Sequence, residues 1–148
     1  MGDQQSLGPF CSEDCFLRRI AKKRHVARDG TVSPEVFDVT DADDTLSFTF
    51  QDDNLKTEEG LDRYQRETAF PSGARLGICW LSYDDLTVSL DPPLPPRHEP
   101  DPEDEKYGHL HCVTDCPKSY VRMVQMAKLA TDNGVVRHFD PHRKRRTQ

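Results

Sequence analysis

Two histidines one residue apart, His109 and His111, stand in a stretch from Gly108 to Val113 that alternates in the manner of a β-strand. Positions two apart on a strand present both imidazoles to one face, about 7 Å from each other. Such a pair could bind an anion or a metal, or act as an acid and a base near neutral pH. The plainer alternative is a pair of packing or surface histidines at a strand edge. Arg18 and Arg19 lie in an earlier strand-like run from Cys15 to Ile20, and Ser47 offers a hydroxyl from the run Leu46 to Phe50. Guanidinium, hydroxyl and imidazole make an anion cradle if the fold gathers them. Arg18, Arg19, Ser47, His109 and His111 are therefore the candidate ligand-binding residues, with His111 the candidate proton carrier.

The cysteines form a second constellation. Cys11 and Cys15, then Cys112 and Cys116, are two pairs separated by three residues, with His109 and His111 just ahead of the second pair. Four thiolates, or thiolates mixed with imidazole, satisfy tetrahedral zinc and could staple the amino end to the sheet. The usual knuckle has two intervening residues, so reduced thiols, a structural zinc site and a disulfide all stay open, the disulfide being disfavoured in a cytosolic chain.

Charge is unevenly placed. Arg18, Arg19, Lys22, Lys23, Arg24 and Arg28 have no acid among them, whereas Asp29 to Glu67 holds twelve acids against Lys56, Arg63 and Arg66. Arg143 to Arg146 is a second basic cluster. Lys22, Lys23 and Arg24 are the candidate partner-binding residues, for an acidic protein surface or an anionic small ligand. The alternative is that these cations pair with the acidic half of the same chain. A net charge of -6 weakens general attraction to nucleic acid.

Positioning these groups requires several short elements. Alternation in Cys15 to Ile20 sends Phe16 and Arg18 to one face and Leu17 and Arg19 to the other, which predicts partial burial of Arg18. Asp29-Gly30 is a turn signal, and Pro34 suits the start of a short helix carrying Val36 and Phe37. Leu46 to Phe50 alternates cleanly, with Leu46, Phe48 and Phe50 opposite Ser47 and Thr49. A helix over Thr57 to Gln65 would turn Leu61 and Tyr64 inward, Gly60 weakening it by about 1 kcal/mol. Leu76 to Leu81 is continuously apolar and reads as a central strand. Ser82 to Asp85 can cap one helical turn, and Leu86, Val88 and Leu90 alternate as a further strand. Asp91 to Asp104, with six prolines, resists pairing and reads as a stiff exposed loop, bounded at 91–106. Pro117 suits the first turn of a helix, with Tyr120, Val124, Ala127 and Thr131 in its period and Asn133-Gly134 as its stop; Met123 and Met126 fill its core face. Val135 to Phe139 reads as a last strand.

These elements mix without a repeat, and successive strands leave too little chain for helical crossovers. The expected fold class is α+β: one compact mixed or antiparallel sheet covered by a C-terminal helix. A length of 148 residues suits a single domain, here 15–140, with a flexible arm at 1–14 and a basic tail at 141–148. Only 34% of residues are hydrophobic, so the core should be small. No run approaches the roughly 18 apolar residues of a membrane span, and Met1 to Phe10 lacks the blocks of a secretory signal, which sets a cytoplasmic expectation with no membrane partner.

Leu17-Arg18-Arg19-Ile20, then Asp29-Gly30-Thr31-Val32-Ser33 with Phe37, then Leu46-Ser47, resemble in their order the opening of a widespread uncharacterised family of small bacterial proteins. The likeness continues through Leu86 to Pro92, the His109-x-His111 strand and the helix at Ala127 to Ala130. It implies a stand-alone bacterial cytosolic domain associated with defence or conflict genes, and carries no activity with it. The five cysteines and the proline-rich segment depart from that pattern. A more distant similarity is to ADP-ribosyltransferase-like folds, in which an early strand arginine and a later strand serine hold NAD; Arg18 or Arg19 and Ser47 would fill those positions. The catalytic glutamate that likeness implies has no counterpart after the late strands. Three expectations follow: a non-catalytic interaction module, an enzyme acting on a phosphate ligand such as NAD, and a zinc-stabilised binding domain.

Overall fold

The structure is a computed structural model and describes residues 10–20, 22–39, 44–67, 77–102 and 108–135. Five strands form one antiparallel sheet in the order β3-β1-β2-β5-β4. They are β1 (Cys15–Arg19), β2 (Thr45–Phe50), β3 (Ile78–Ser82), β4 (Arg97–His98) and β5 (Leu110–Asp115), accompanied by helices α1 (Glu58–Glu67) and α2 (Tyr120–Asn133). The architecture is the expected α+β sheet with a C-terminal helix. The expected strand over 135–139 and the basic tail lie outside the described residues, apart from Val135.

The pleat divides the sheet into two packed faces, with the phase that alternation predicts. Phe16, Leu46, Phe48, Cys79, Leu81 and Cys112 point to one side, where Met123, Met126, Ala127 and Ala130 of α2 and the 3-10 turn Pro34–Phe37 complete the larger core. Leu17 and Ile78 point to the other, against Leu55 and Tyr64, with Leu61 and Trp80 at the margin. Helix α1 thus covers the second face of a sheet whose first face carries α2.

Local chemistry explains most boundaries. Ser33 caps the Pro34–Phe37 turn by accepting from the Glu35 amide. Ser119 caps α2, so Pro117 lies ahead of the helix and not in its first turn, and Gly134 ends it at φ 99°, a conformation open to glycine. The buried stripe of α2 is Met123, Met126, Ala127 and Ala130; Tyr120 and Val124, expected inward, are exposed. The stripe is rotated because the sequence around the first turn, Tyr120-Val121, is apolar on both sides and does not fix the helix phase.

Four expectations are corrected. The apolar run read as a central strand is instead the edge strand β3, paired among the described residues only with β1. Leu86, Val88 and Leu90 do not form a strand but lie in and just after a π-helical turn, Asp85–Ser89. Leu86 and Leu90 are buried and Val88 is 67% exposed, a pattern that spacing of four explains and alternation does not. The turn is fixed by a reciprocal cap: the Asp85 amide donates to Ser82 Oγ and the Ser82 amide to Asp85 Oδ2, both at 3.0 Å. Asn133 Nδ2 then donates to that same Asp85 Oδ2 and to the Trp80 carbonyl, each at 2.9 Å, tying α2 to the outer side of β3.

The proline-rich segment is not only an exposed loop. Leu94 is buried in the larger core, and Arg97 and His98 pair with Val113 and Cys112 as an edge strand. Proline is tolerated beside an edge because one side of such a strand needs no amide donors. Residues 10–14 of the expected arm are held against the sheet: Phe10 docks edge-on against Phe16, at 5.1 Å between ring centroids, and beside Phe50 and Tyr83, and the Tyr83 amide donates to the Asp14 carbonyl.

Candidate functional site

The candidate residues do not gather in one place. Arg18 shares the α2 face with Phe16: its Nε donates to the Val36 carbonyl at 2.6 Å, its Nη1 to the Ser47 carbonyl at 2.8 Å, and its guanidinium lies 5.8 Å from the Phe37 ring centre. Burial pushes its pKa down, with Cys79 opposing, but a guanidinium stays charged at any ordinary pH. All of these partners are structural. The Ser47 contact is through its backbone, so the hydroxyl expected to orient a ligand does not face Arg18.

His109 and His111 lie on the opposite, α1 side. His111 is the cross-strand partner of Thr49, and Thr49 Oγ1 is 2.7 Å from the Tyr64 hydroxyl. His109 is buried, its ring 4.8 Å from that of Tyr64 in edge-on geometry and its Nε2 3.4 Å from Glu67 Oε1. His111 Nδ1 is 2.9 Å from the Glu99 carbonyl, while the Glu99 amide donates back to the His111 carbonyl. One imidazole therefore pins α1 and the other pins the chain beyond β4. Arg19, by alternation with Leu17, shares the α1 side with Ser47, so the sheet's thickness separates Arg18 from both histidines. Glu67 and Thr49 are partners that strand reading did not assign; Tyr64 and Glu67 lie three apart on one helix face, and that spacing was the available signal. Tyr64→Phe should cost about 1–2 kcal/mol in urea unfolding, since it leaves the buried Thr49 hydroxyl without its partner. An unchanged midpoint would show that water replaces the phenol.

The four-cysteine site is likewise not formed. Among the described residues no three His, Cys, Asp or Glu side chains are placed to hold a metal ion. Cys15 precedes Leu17 by two on the α1 side, whereas Cys112 pairs with Phe48 and enters the α2 core two strands away. Burial pushes the Cys112 thiol up to about 12 and raises Cys116 and Cys15 as well. Cys79, also in the core, is pushed up to about 12 by burial.

What the fold does assemble is a basic loop. The 3-10 turn Lys23–His25 leads into a bridge between Val26 and Val32 around Asp29-Gly30, with Gly30 at φ 94° as the turn signal predicts. The loop is anchored: Ser33 donates to the His25 carbonyl at 2.8 Å, and the Val32 amide to Thr131 Oγ1 on α2 at 2.9 Å. Lys22, Arg24 and Arg28 are exposed on it. Arg24 Nε lies 3.5 Å from Glu35 Oε1, an exposed pair worth little in water. Among the described residues Lys22 and Arg28 have no ion pair. The same Glu35 oxygen lies 3.4 Å from Nε2 of His25, which is 8% exposed and whose buried Nδ1 has no hydrogen-bond partner among the described residues. Glu35 was not singled out in the sequence, although the Asp29-Gly30 turn necessarily folds the basic run back onto it.

No protein-family model, curated protein or solved structure matches the chain.

Proposed function

We propose that the protein is a non-catalytic interaction module that holds an anionic group of a partner on the Lys22–Arg28 loop. One observation carries this reading: the loop is fixed to both the Pro34–Phe37 turn and α2, yet of its exposed cations Lys22, Arg24 and Arg28 only Arg24 has an acid beside it among the described residues. A pre-organised cluster loses little freedom when an anion binds, so even exposed cations contribute net affinity and electrostatic steering. The likeness of Leu17 to Ile20 and Asp29 to Ser33 to a family of small bacterial proteins agrees with an accessory role. The enzyme reading needs Arg18, Ser47 and His111 around one ligand, but the Arg18 and His111 side chains bond separate main-chain carbonyls on opposite sides of the sheet, and Ser47 meets Arg18 only through its backbone.

Inorganic sulfate, added at constant ionic strength, is a suitable probe because its charge is fixed across the neutral range. Amide resonances of Lys22 to Arg28 should shift with saturation. Reversing charge at Lys22, Lys23 and Arg24 to glutamate should abolish that response while changing stability by only about 0.5 kcal/mol, as for other surface substitutions. Sulfate shifts spread over the protein, or retained in the triple variant, would refute the assignment.

A further inference from the structure

Glu35 Oε1 has two competing neighbours, Arg24 Nε and His25 Nε2, at nearly equal distances. A neutral imidazole brings no charge to that oxygen, so Arg24 is the one cation it holds among the described residues. A protonated imidazole adds a second positive charge at the same oxygen, which weakens the hold of Glu35 on Arg24, and makes both ring nitrogens N–H donors, the buried Nδ1 having no acceptor among the described residues. That unpaired donor strains the segment whose backbone fixes the loop, because His25 accepts from Ser33 and donates to Lys22 through its main chain.

Resting on the anion-binding reading above, we propose that His25 is a proton-operated control on the basic loop: protonation captures Glu35, frees Arg24 and strengthens anion binding on acidification. The groups that face His25 are Glu35 from the Pro34–Phe37 turn, Arg24 and Lys22 from its own segment, and Arg18 from β1. Burial is the largest influence and holds the His25 pKa below its ordinary 6.5; Glu35 opposes it, while Arg24, Lys22 and Arg18 reinforce it. The folded chain therefore favours neutral His25. The resulting stability is complete above about pH 6.5 and is lost as pH falls through the lowered folded value. By the same linkage an anion seated on the loop favours the protonated ring, so binding and proton uptake are coupled.

Sulfate affinity read from the Lys22 to Arg28 amides should rise about three- to fivefold between pH ~7.5 and ~5, the worth of one added exposed charge contact. His25→Gln should bind as wild type at the upper pH and show no rise. Glu35→Gln, which removes the contested carboxylate and leaves the ring in place, should bind at the upper pH with the affinity wild type reaches in acid. A wild-type affinity that is flat with pH, or a rise that survives in His25→Gln, overturns the switch and leaves the binding reading standing. Absence of any sulfate response at either pH overturns the binding reading itself.

Discussion

Replacing Gly60 by alanine should destabilise the fold by about 3 kcal/mol, the upper part of the range for forcing atoms into filled space. A β-carbon at that position would lie 1.7 Å from the Asn54 carbonyl oxygen. That oxygen belongs to the 3-10 turn Asp53–Lys56, which enters α1 directly, and the Gly60 amide donates to Thr57 Oγ1 at 3.0 Å in the same knot. Helix propensity alone predicts the opposite sign, since alanine is better than glycine by about 1 kcal/mol in a helix interior. Urea unfolding separates the two: a higher midpoint for the alanine variant would mean that the turn yields without cost. Leu55, in that turn, and Tyr64, on the helix, both pack in the smaller core, so displacement of the turn would also disturb the packing of Tyr64 beside His109.

Arg18→Met should cost a similar amount, about 3 kcal/mol, while leaving sulfate binding at the basic loop in place. Methionine replaces the aliphatic stem but removes the donors to the Val36 and Ser47 carbonyls, and hydrogen bonds from charged groups are worth roughly 1.5–3 kcal/mol each. Lysine would not rescue it, because a single ammonium cannot reproduce the planar fork that reaches two carbonyls beside the Phe37 ring. Thermal or urea unfolding measures the first expectation and the amide titration the second. A stable variant that no longer responds to sulfate would move Arg18 from the framework to the binding surface.

These two positions show what the sequence makes legible. Period-two patterning located β2 and β5, and put Phe16 with Arg18 on one side and Leu17 on the other, because a half-buried strand imposes alternation directly on residue type. The continuous apolar run located β3 but misplaced it, since helices on both faces cover an edge strand as fully as a central one. The partial burial of Arg18 follows from the same phase. Its partners do not, since two carbonyls from separate segments carry no side-chain signature. Leu86, Val88 and Leu90 fit alternation as well as a spacing of four over so short a run, and only the Ser82 and Asp85 cap decides between them. Arg97 and His98 became a strand against local preference because β5 offers a free edge and Leu94 is held in the core beside it. For the candidate site, residue types were legible and sides were not: the histidines, arginines and cysteines came from different strands, and whether they meet depends on pairings that no local pattern encodes. The basic loop was legible as charge, whereas the meeting of Glu35 with Arg24 and His25 depended on how the Val26–Val32 hairpin closes.

The bonds from Asn133 to the Trp80 carbonyl and from the Ser82 amide to Asp85 have an effect beyond anchoring α2. They fill main-chain groups along the outermost rim of β3, where an intruding polypeptide would otherwise extend the ladder. A single asparagine and a single aspartate thereby shield that rim from fibrous self-assembly, the hazard that unguarded sheet borders carry.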